Sequence, residues 1–270
     1  MATRTSSITS DRSDRFEISE SKLASFRDRG WLRLPGIFEE DEVAVLSEEL
    51  DRLIDEWAVE DMGWGGDWRE EYLDPDMRDA TSLIHLHDLQ LYSEPFLRMV
   101  TDRRLVTPVR QLIGADVELH HTTLHAKPPD RGSPFPMHQD WAFYKHEGGP
   151  YEYIDALVHI DDVPSEKGPL QFLDRSHELG ALEHIEGEGQ APHLPTDEYR
   201  LEDATEVTAS AGDVILMSYH TIHGSDQNLS DEMRRLVRVG YRNPTNEQFA
   251  GQALDRPGLM VSGQKRSGSD

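Results

Sequence analysis

Residues 117–126, VELHHTTLHA, change the character of the chain. Before them, apolar residues recur at helical spacing. After them come short apolar segments: Tyr153 to Ile160, Leu170 to Leu173, Ala204 to Ala209, Val214 to Tyr219 and Leu236 to Tyr241. Clusters of Pro, Gly, Asp and Ser separate these segments, as turns separate strands. Helices followed by many short strands predict a mostly β protein with a helical cover, a β-sandwich or jelly roll.

Working back from Val117, Pro95 to Ile113 reads as one helix closing at Gly114. Glu39 to Trp57 spaces Val43, Leu46, Leu50, Leu53, Ile54 and Trp57 three and four apart, an amphipathic helix. Ser19 to Arg29 is a shorter helix stopped by Gly30, and Trp31 to Leu34 alternates like a strand. Residues 1–18 mix Ser, Thr, Arg and Asp without periodicity and are expected to be a disordered tail. Residues 246–270 drift into Gly, Ser and Gln and are expected to be a loose tail. The body is then one domain over 19–245, with the helical cover at about 19–114 and the jelly roll at about 115–245.

Composition narrows the function. Among 270 residues, 52 Asp and Glu outweigh 27 Lys and Arg, a net charge of -25, which argues against a nucleic-acid partner. It also argues against docking on anionic lipid, and no apolar run reaches membrane-spanning length. A cytoplasmic location is expected, with the oligomeric state open. With no cysteine, thiolate metal sites, iron–sulfur clusters and cysteine nucleophiles are excluded. The carboxylate excess, with only Lys22, Lys127, Lys145, Lys167 and Lys265 as lysines, suits a salt-rich cytoplasm or an Arg-preferring genome equally.

Thirteen histidines carry the remaining chemistry. His-x-Asp/Glu occurs at His138, His159 and His184, and so acidic a composition produces such triplets by chance. His85-x-His87 and the group His120, His121, His125 are rivals for a metal. The triplet at His138 gains from its company. On a strand His138 and Asp140 would face one side and share an ion. A third ligand would come from Gly212 to Ser225 (GDVILMSYHTIHGS), where His220 and His223 fall on opposite faces of a regular strand. Two His and one carboxylate with open positions opposite is the ligand set of non-haem Fe(II) oxygenases, with room for a chelating cosubstrate and O2. Arg234, eleven residues beyond His223, would suit the distal carboxylate of 2-oxoglutarate.

Three stretches together carry a resemblance: Lys127-Pro-Pro-Asp-Arg-Gly132, Met137-His-Gln-Asp140, and His223-Gly-Ser-Asp-Gln-Asn-Leu-Ser230 with Arg234. With the entry segment FRDRGWLRLPGIFEEDEVAVL, they resemble the phytanoyl-CoA dioxygenase family over about residues 20–245. The resemblance implies a double-stranded β-helix, a cupin-like jelly roll, using Fe(II), 2-oxoglutarate and O2. It implies iron ligands His138, Asp140 and His223, which leaves His220 as a core residue or a support behind the ligands. It further implies Arg234 and Ser225 on the cosubstrate's C5 carboxylate and Lys127 as another cosubstrate contact. The chain departs from the family at Lys167-Gly-Pro-Leu170 and Asp174-Arg-Ser-His177, where a Pro-Gly turn is missing, and at Leu157, where some members place a Trp.

Related halogenases replace the carboxylate ligand with a small residue, so Asp140 implies hydroxylation or another oxidation of a C–H bond, with release of succinate and CO2. The alternatives are a jelly-roll isomerase or hydrolase without 2-oxoglutarate, and a non-catalytic metal-binding module. The substrate is expected to be a small metabolite, because no run of Lys and Arg suits the phosphates of a CoA thioester. Trp64 and Trp68, with Tyr72, lie on a Gly-rich stretch that is either a lid or an ordinary packed loop. Trp141, Phe143 and Tyr144 directly follow the metal pair and either line the pocket or pack the sandwich. Arg238, which shares a strand face with Arg234, is expected to point inward, where its partner is a protein carboxylate or an anionic substrate.

Overall fold

The structure, a computed structural model, describes residues 15–265. Along the chain run α1 (Glu20–Arg29), β1 (Trp31–Leu34), α2 (Glu40–Trp57), β2 (Val59–Asp61), α3 (Arg69–Tyr72), β3 (Leu83–His87), α4 (Leu89–Tyr92), α5 (Glu94–Thr101) and α6 (Arg103–Ile113). Next come β4 (Val117–Lys127), β5 (Phe135–His138), β6 (Tyr153–His159), β7 (Leu170–Phe172), β8 (Ile185–Gly187) and β9 (Gln190–His193). The last strands are β10 (Thr205–Val207), β11 (Val214–Ser218), β12 (His223–Ser225), β13 (Arg234–Arg242) and β14 (Leu259–Ser262). The major sheet runs β1-β11-β6-β13-β4-β3-β2, with β14 also on β4, and the minor sheet runs β10-β7-β12-β5. Both are antiparallel throughout.

Side-chain alternation divides the core in two. Ile154, Ala156, Val158, Val214, Leu216, Val237 and Val239 face the helices, meeting Phe26, Leu50, Leu53 and Phe96. Their neighbours Leu157, Ile215, Met217 and Leu236 face the other way and pack on Leu170, Phe172 and Val207 of the minor sheet. On β13, therefore, Arg234, Leu236 and Arg238 look into the space between the sheets, and the site forms there.

The helical cover is not purely helical, since β1, β2 and β3 join the major sheet. The single helix expected over 95–113 is two helices. Asp102 takes extended backbone (φ -65, ψ 134), and its carboxylate caps α6 by accepting from the Arg104 N–H at 2.8 Å. Gly30 ends α1 at φ 88, where a Cβ would also sit 2.5 Å from His177 Nδ1.

Both expected tails need correction within the described residues. Ile18 is fastened to Gln111 through two hydrogen bonds, while residues 1–14 and 266–270 lie outside the described residues. The segment 246–265 returns to the body instead of trailing away. On one edge of β4, β3 pairs with Thr123 to Ala126, and β14 takes up Val117 to Leu119. Strand groups at an open edge seek partners, which gives this stretch its place. No described helix is long and apolar enough to cross a membrane.

Candidate active site

β5 and β12 are neighbours in register, with His138 directly opposite His223 and their rings 4.2 Å apart. Asp140 lies beyond the end of β5 and opens a 3-10 turn over Asp140–Phe143, so the pair does not share a continuous strand as expected. The turn brings Asp140 Oδ1 to 3.5 Å from His138 Nε2 and 3.9 Å from His223 Nε2. Among the described residues this is the one cluster of three or more His, Asp or Glu whose ligand atoms all lie within 4.8 Å. His85, His87, His120, His121 and His125 belong to no such cluster.

The three side chains are prepared for a cation. Each imidazole Nδ1 meets a backbone carbonyl, Pro136 O at 2.7 Å for His138 and Thr221 O at 3.0 Å for His223. Nδ1 therefore carries the proton and Nε2 presents its lone pair inward. Burial pushes His223 down to about 4, with His138 adding to the effect, so it is neutral at pH 7. Burial opposes ionisation of Asp140, yet Arg238 and the two histidines hold its carboxyl well below the usual range. Two imidazoles presenting Nε2 inward and one carboxylate, fixed before any ion arrives, fit a divalent iron with positions left open.

Gln139, between two of these ligands, is fully buried. Its side-chain amide donates to Gly180 O at 2.8 Å and His220 O at 2.6 Å, and accepts from the Leu182 N–H at 2.9 Å. Its backbone N–H donates to His184 Nε2 at 2.9 Å, and His184 Nδ1 donates to Leu182 O at 3.0 Å. Gln139 thus ties the His138–Asp140 segment to the turn that carries His223. The sequence signal for it was position alone. His220 stacks on Tyr219 at 4.3 Å and serves the site through its carbonyl.

Beside the triad lies about 390 Å³ of atom-free space, lined by the three residues above with Trp64, Leu157, Leu170 and Arg234. Arg234 is completely buried, and none of its three guanidinium nitrogens has a hydrogen-bond partner among the described residues. Burial pushes it down to about 10. Opposite it on β4 stands buried Lys127, whose ammonium donates to Ser225 Oγ at 2.7 Å and to Asp226 O. Burial, and then Arg234, hold Lys127 well below its ordinary value. Lys127 and Ser225 are engaged with each other and, unlike Arg234, are not on the lining of either site cavity. A buried cation with open donors fits a carboxylate reaching it from the metal.

Of the aromatic residues considered for the pocket, Trp64, Phe143 and Tyr144 are there. The Trp64 ring stands edge-on to His138 at 4.7 Å and touches Phe135 and Phe143. Its carbonyl accepts from Arg69 Nη1 at 2.9 Å, and that buried guanidinium also holds Arg78 O and Thr81, which pins the stretch over the site. Phe143 lines a second cavity beyond Asp140. Trp68 is buried elsewhere, its Nε1 donating to Gly65 O, and Trp141 turns outward to donate to His146 O. Neither lines the site, because the 3-10 turn after Asp140 and the short α3 rotate them away.

Arg238 points inward, but protein carboxylates take it. Its Nε donates to Asp140 Oδ2 at 2.8 Å and its Nη2 lies 2.7 Å from Asp155 Oδ1. Asp155, on the adjoining strand β6, is fully buried and was not legible as a partner in the sequence. The reading of Arg238 as the anchor for an anionic substrate is therefore withdrawn.

Residues 26–236 match the model of the phytanoyl-CoA dioxygenase family. The chain belongs to that family. A "probable alpha-ketoglutarate-dependent hypophosphite dioxygenase" of Stutzerimonas stutzeri is 27% identical over 248 residues, 88% of this chain and 84% of that one. An "ectoine dioxygenase" of Bordetella parapertussis is 28% identical over 251 residues, 85% and 77% of the two chains. The crystal structure of "EctD from S. alaskensis with 2-oxoglutarate and 5-hydroxyectoine" matches with a TM-score of 0.67 at 22% identity, covering 93% of this chain and 86% of that one, and shares the fold. The antiparallel architecture is that of a jelly-roll oxygenase. With its relatives' activities and its His/Asp/His cluster, the chain is a dioxygenase dependent on iron(II) and 2-oxoglutarate, with O2 as co-substrate.

Proposed function

We propose that His138, Asp140 and His223 hold the iron, that Arg234 binds the far carboxylate of 2-oxoglutarate, and that the enzyme hydroxylates a C–H bond of a small polar metabolite. The observation that carries this reading is Arg234, buried without a partner at the wall of the cavity that the triad opens. A buried guanidinium is costly unless an anion completes it, and a hydrolase or isomerase using the same triad has no use for one there. Bound iron with 2-oxoglutarate and O2 supplies oxidation of a C–H bond coupled to loss of CO2 and formation of succinate.

The chain's own residues do the rest. The carbonyls of Pro136 and Thr221 orient the two imidazoles. Arg238 occupies Asp140 Oδ2 and leaves Oδ1 facing the histidines. Lys127 and Ser225 back the Arg234 end of the cavity without entering it. Trp64 and Phe135 cover the triad and keep bulk water from the reacting atoms. The relatives' names place ectoine and hypophosphite among the substrates of similar chains, which favours a small polar molecule over a CoA thioester here.

The test is anaerobic addition of Fe(II) and 2-oxoglutarate, which should produce a visible charge-transfer band, followed by O2 and measurement of succinate. His138→Ala, Asp140→Ala and His223→Ala should each lose both signals, and His220→Ala should keep them. Iron lost from His220→Ala but kept by His223→Ala would reverse the ligand assignment. No band with the wild-type protein would favour a metalloenzyme that does not use 2-oxoglutarate.

A further inference from the structure

Beyond Asp140, on the side away from Arg234, lies a second cavity with about 620 Å³ of atom-free space. Asp61, His85, His87, Thr123, Phe143 and Tyr144 are on its wall, and it shares Trp64, His125, Asp140 and Arg238 with the cavity around the triad. It is the space from which a substrate C–H bond can reach the metal position while 2-oxoglutarate extends toward Arg234. Its charge is one-sided. Arg238 is the one Lys or Arg among the described residues on this wall, and it is spent on Asp140 and Asp155, its guanidinium lying 4.4 Å over the Tyr144 ring. Burial pushes His87 down to about 4, so it offers a neutral imidazole at pH 7. A carboxylate or phosphate entering here would lose its water and find no unpaired Lys or Arg in return.

The opposite charge is provided for. Asp61, half exposed at the rim, accepts the Gly63 N–H on Oδ1 at 2.8 Å, and its Oδ2 lies 3.8 Å from His85 Nδ1. No Lys or Arg among the described residues pairs with it. Trp64 and Phe143, with ring centroids 4.7 Å apart, add π faces to the same wall. A carboxylate with aromatic faces is the equipment that recognises an organic cation. A net charge of -25 draws cations toward the molecule from a distance.

We infer that the substrate carries a protonated amine, taken by Asp61 and the Trp64–Phe143 wall, and uncharged hydrogen-bonding groups that meet His87, Thr123 and Tyr144. The inference rests on the iron and 2-oxoglutarate reading above and names the substrate class of that same site. It excludes substrates whose recognised end is a carboxylate, phosphate or CoA.

The experiment uses the anaerobic enzyme loaded with Fe(II) and 2-oxoglutarate and three probes built on one cyclohexanol ring: trans-4-aminocyclohexanol, cyclohexane-1,4-diol and 4-hydroxycyclohexanecarboxylate. Binding is read by isothermal titration and by perturbation of the charge-transfer band. The amine should bind about ten-fold more tightly than the carboxylate, with the diol between them, as a half-exposed charge acting attractively on one probe and repulsively on the other implies. Asp61→Asn should bring amine and diol to within about three-fold, and Asp61→Lys should invert the order of amine and carboxylate. A carboxylate that binds as well as the amine, an order that survives Asp61→Lys, or no binding of any probe to enzyme whose band is intact would overturn the inference. Absence of the band in wild-type enzyme would instead strike the iron-site reading on which it rests.

Discussion

Replacing Arg234 with methionine should stabilise the ligand-free protein while removing its affinity for 2-oxoglutarate. The guanidinium is completely buried, has no hydrogen-bond partner among the described residues, and lies across the sheet from the buried ammonium of Lys127. Burial moves it from an ordinary 12.5 to about 10, which at about 1.4 kcal/mol per pKa unit corresponds to roughly 3 kcal/mol of uncompensated charge. Methionine fills much of the same volume without a charge, and imperfect packing should return about 1 kcal/mol of that gain. A net gain of about 2 kcal/mol raises the melting temperature of a domain this size by roughly 5 °C. Calorimetric melts of both proteins, anaerobic with Fe(II), with and without 2-oxoglutarate, measure it. In the wild type, 2-oxoglutarate at about 100 times its Kd should add about 2.7 kcal/mol, and in Arg234→Met that increment should vanish. A variant that melts lower than wild type, or that keeps the 2-oxoglutarate shift, would refute the argument that the fold carries this charge for the cosubstrate.

Three further tests probe the supports of the site and of the helical cover. Gln139→Leu orphans Gly180 O, His220 O and the Leu182 N–H, and should weaken Fe(II) binding by about ten- to a hundred-fold in equilibrium titrations; a folded variant with wild-type iron affinity would dismiss Gln139 as a positioning residue. Arg238→Met leaves Asp140 and Asp155 buried without their cation and should cost about 3–5 kcal/mol in urea unfolding. Adding Asp155→Leu should recover part of that loss, and a strictly additive double variant would show that the two residues do not act together. Arg104 holds Glu42 through two bonds of 2.7 Å and, with Asp102 as well, links α2 to α6. Hydrogen bonding to Arg104 lowers Glu42 from 4.5, so this stability is present above pH 4.5 and is lost as pH falls through the depressed value. The destabilisation by Arg104→Met should accordingly be greatest at neutral pH and shrink on acidification, and a difference that stays constant down to pH 2 would exclude the linkage.

Sequence periodicity sufficed where one element buries one face against one layer. The amphipathic spacing of α2 and the alternation on β13 follow from local geometry, so the helical cover, the strands and the inward direction of Arg234 and Arg238 were legible. The motif His138-Gln139-Asp140 with His223 also named the cluster, because its chemistry needs those residue types wherever the chain brings them together. Four things were decided only in three dimensions. The break at Asp102 turned on a capping bond that outweighed a continuous helical pattern. The return of residues 259–262 to β4 depended on which stretch of that strand's edge β3 left uncovered, which no property of the tail itself encodes. The partner of Arg238 depended on Asp155 arriving from β6, and the second cavity on Asp61, His87 and Phe143 converging from separate segments. Periodicity reports the face on which a side chain stands; charge pairing and cavity shape depend on distances between residues far apart in the chain, and those are set when the sheets pack.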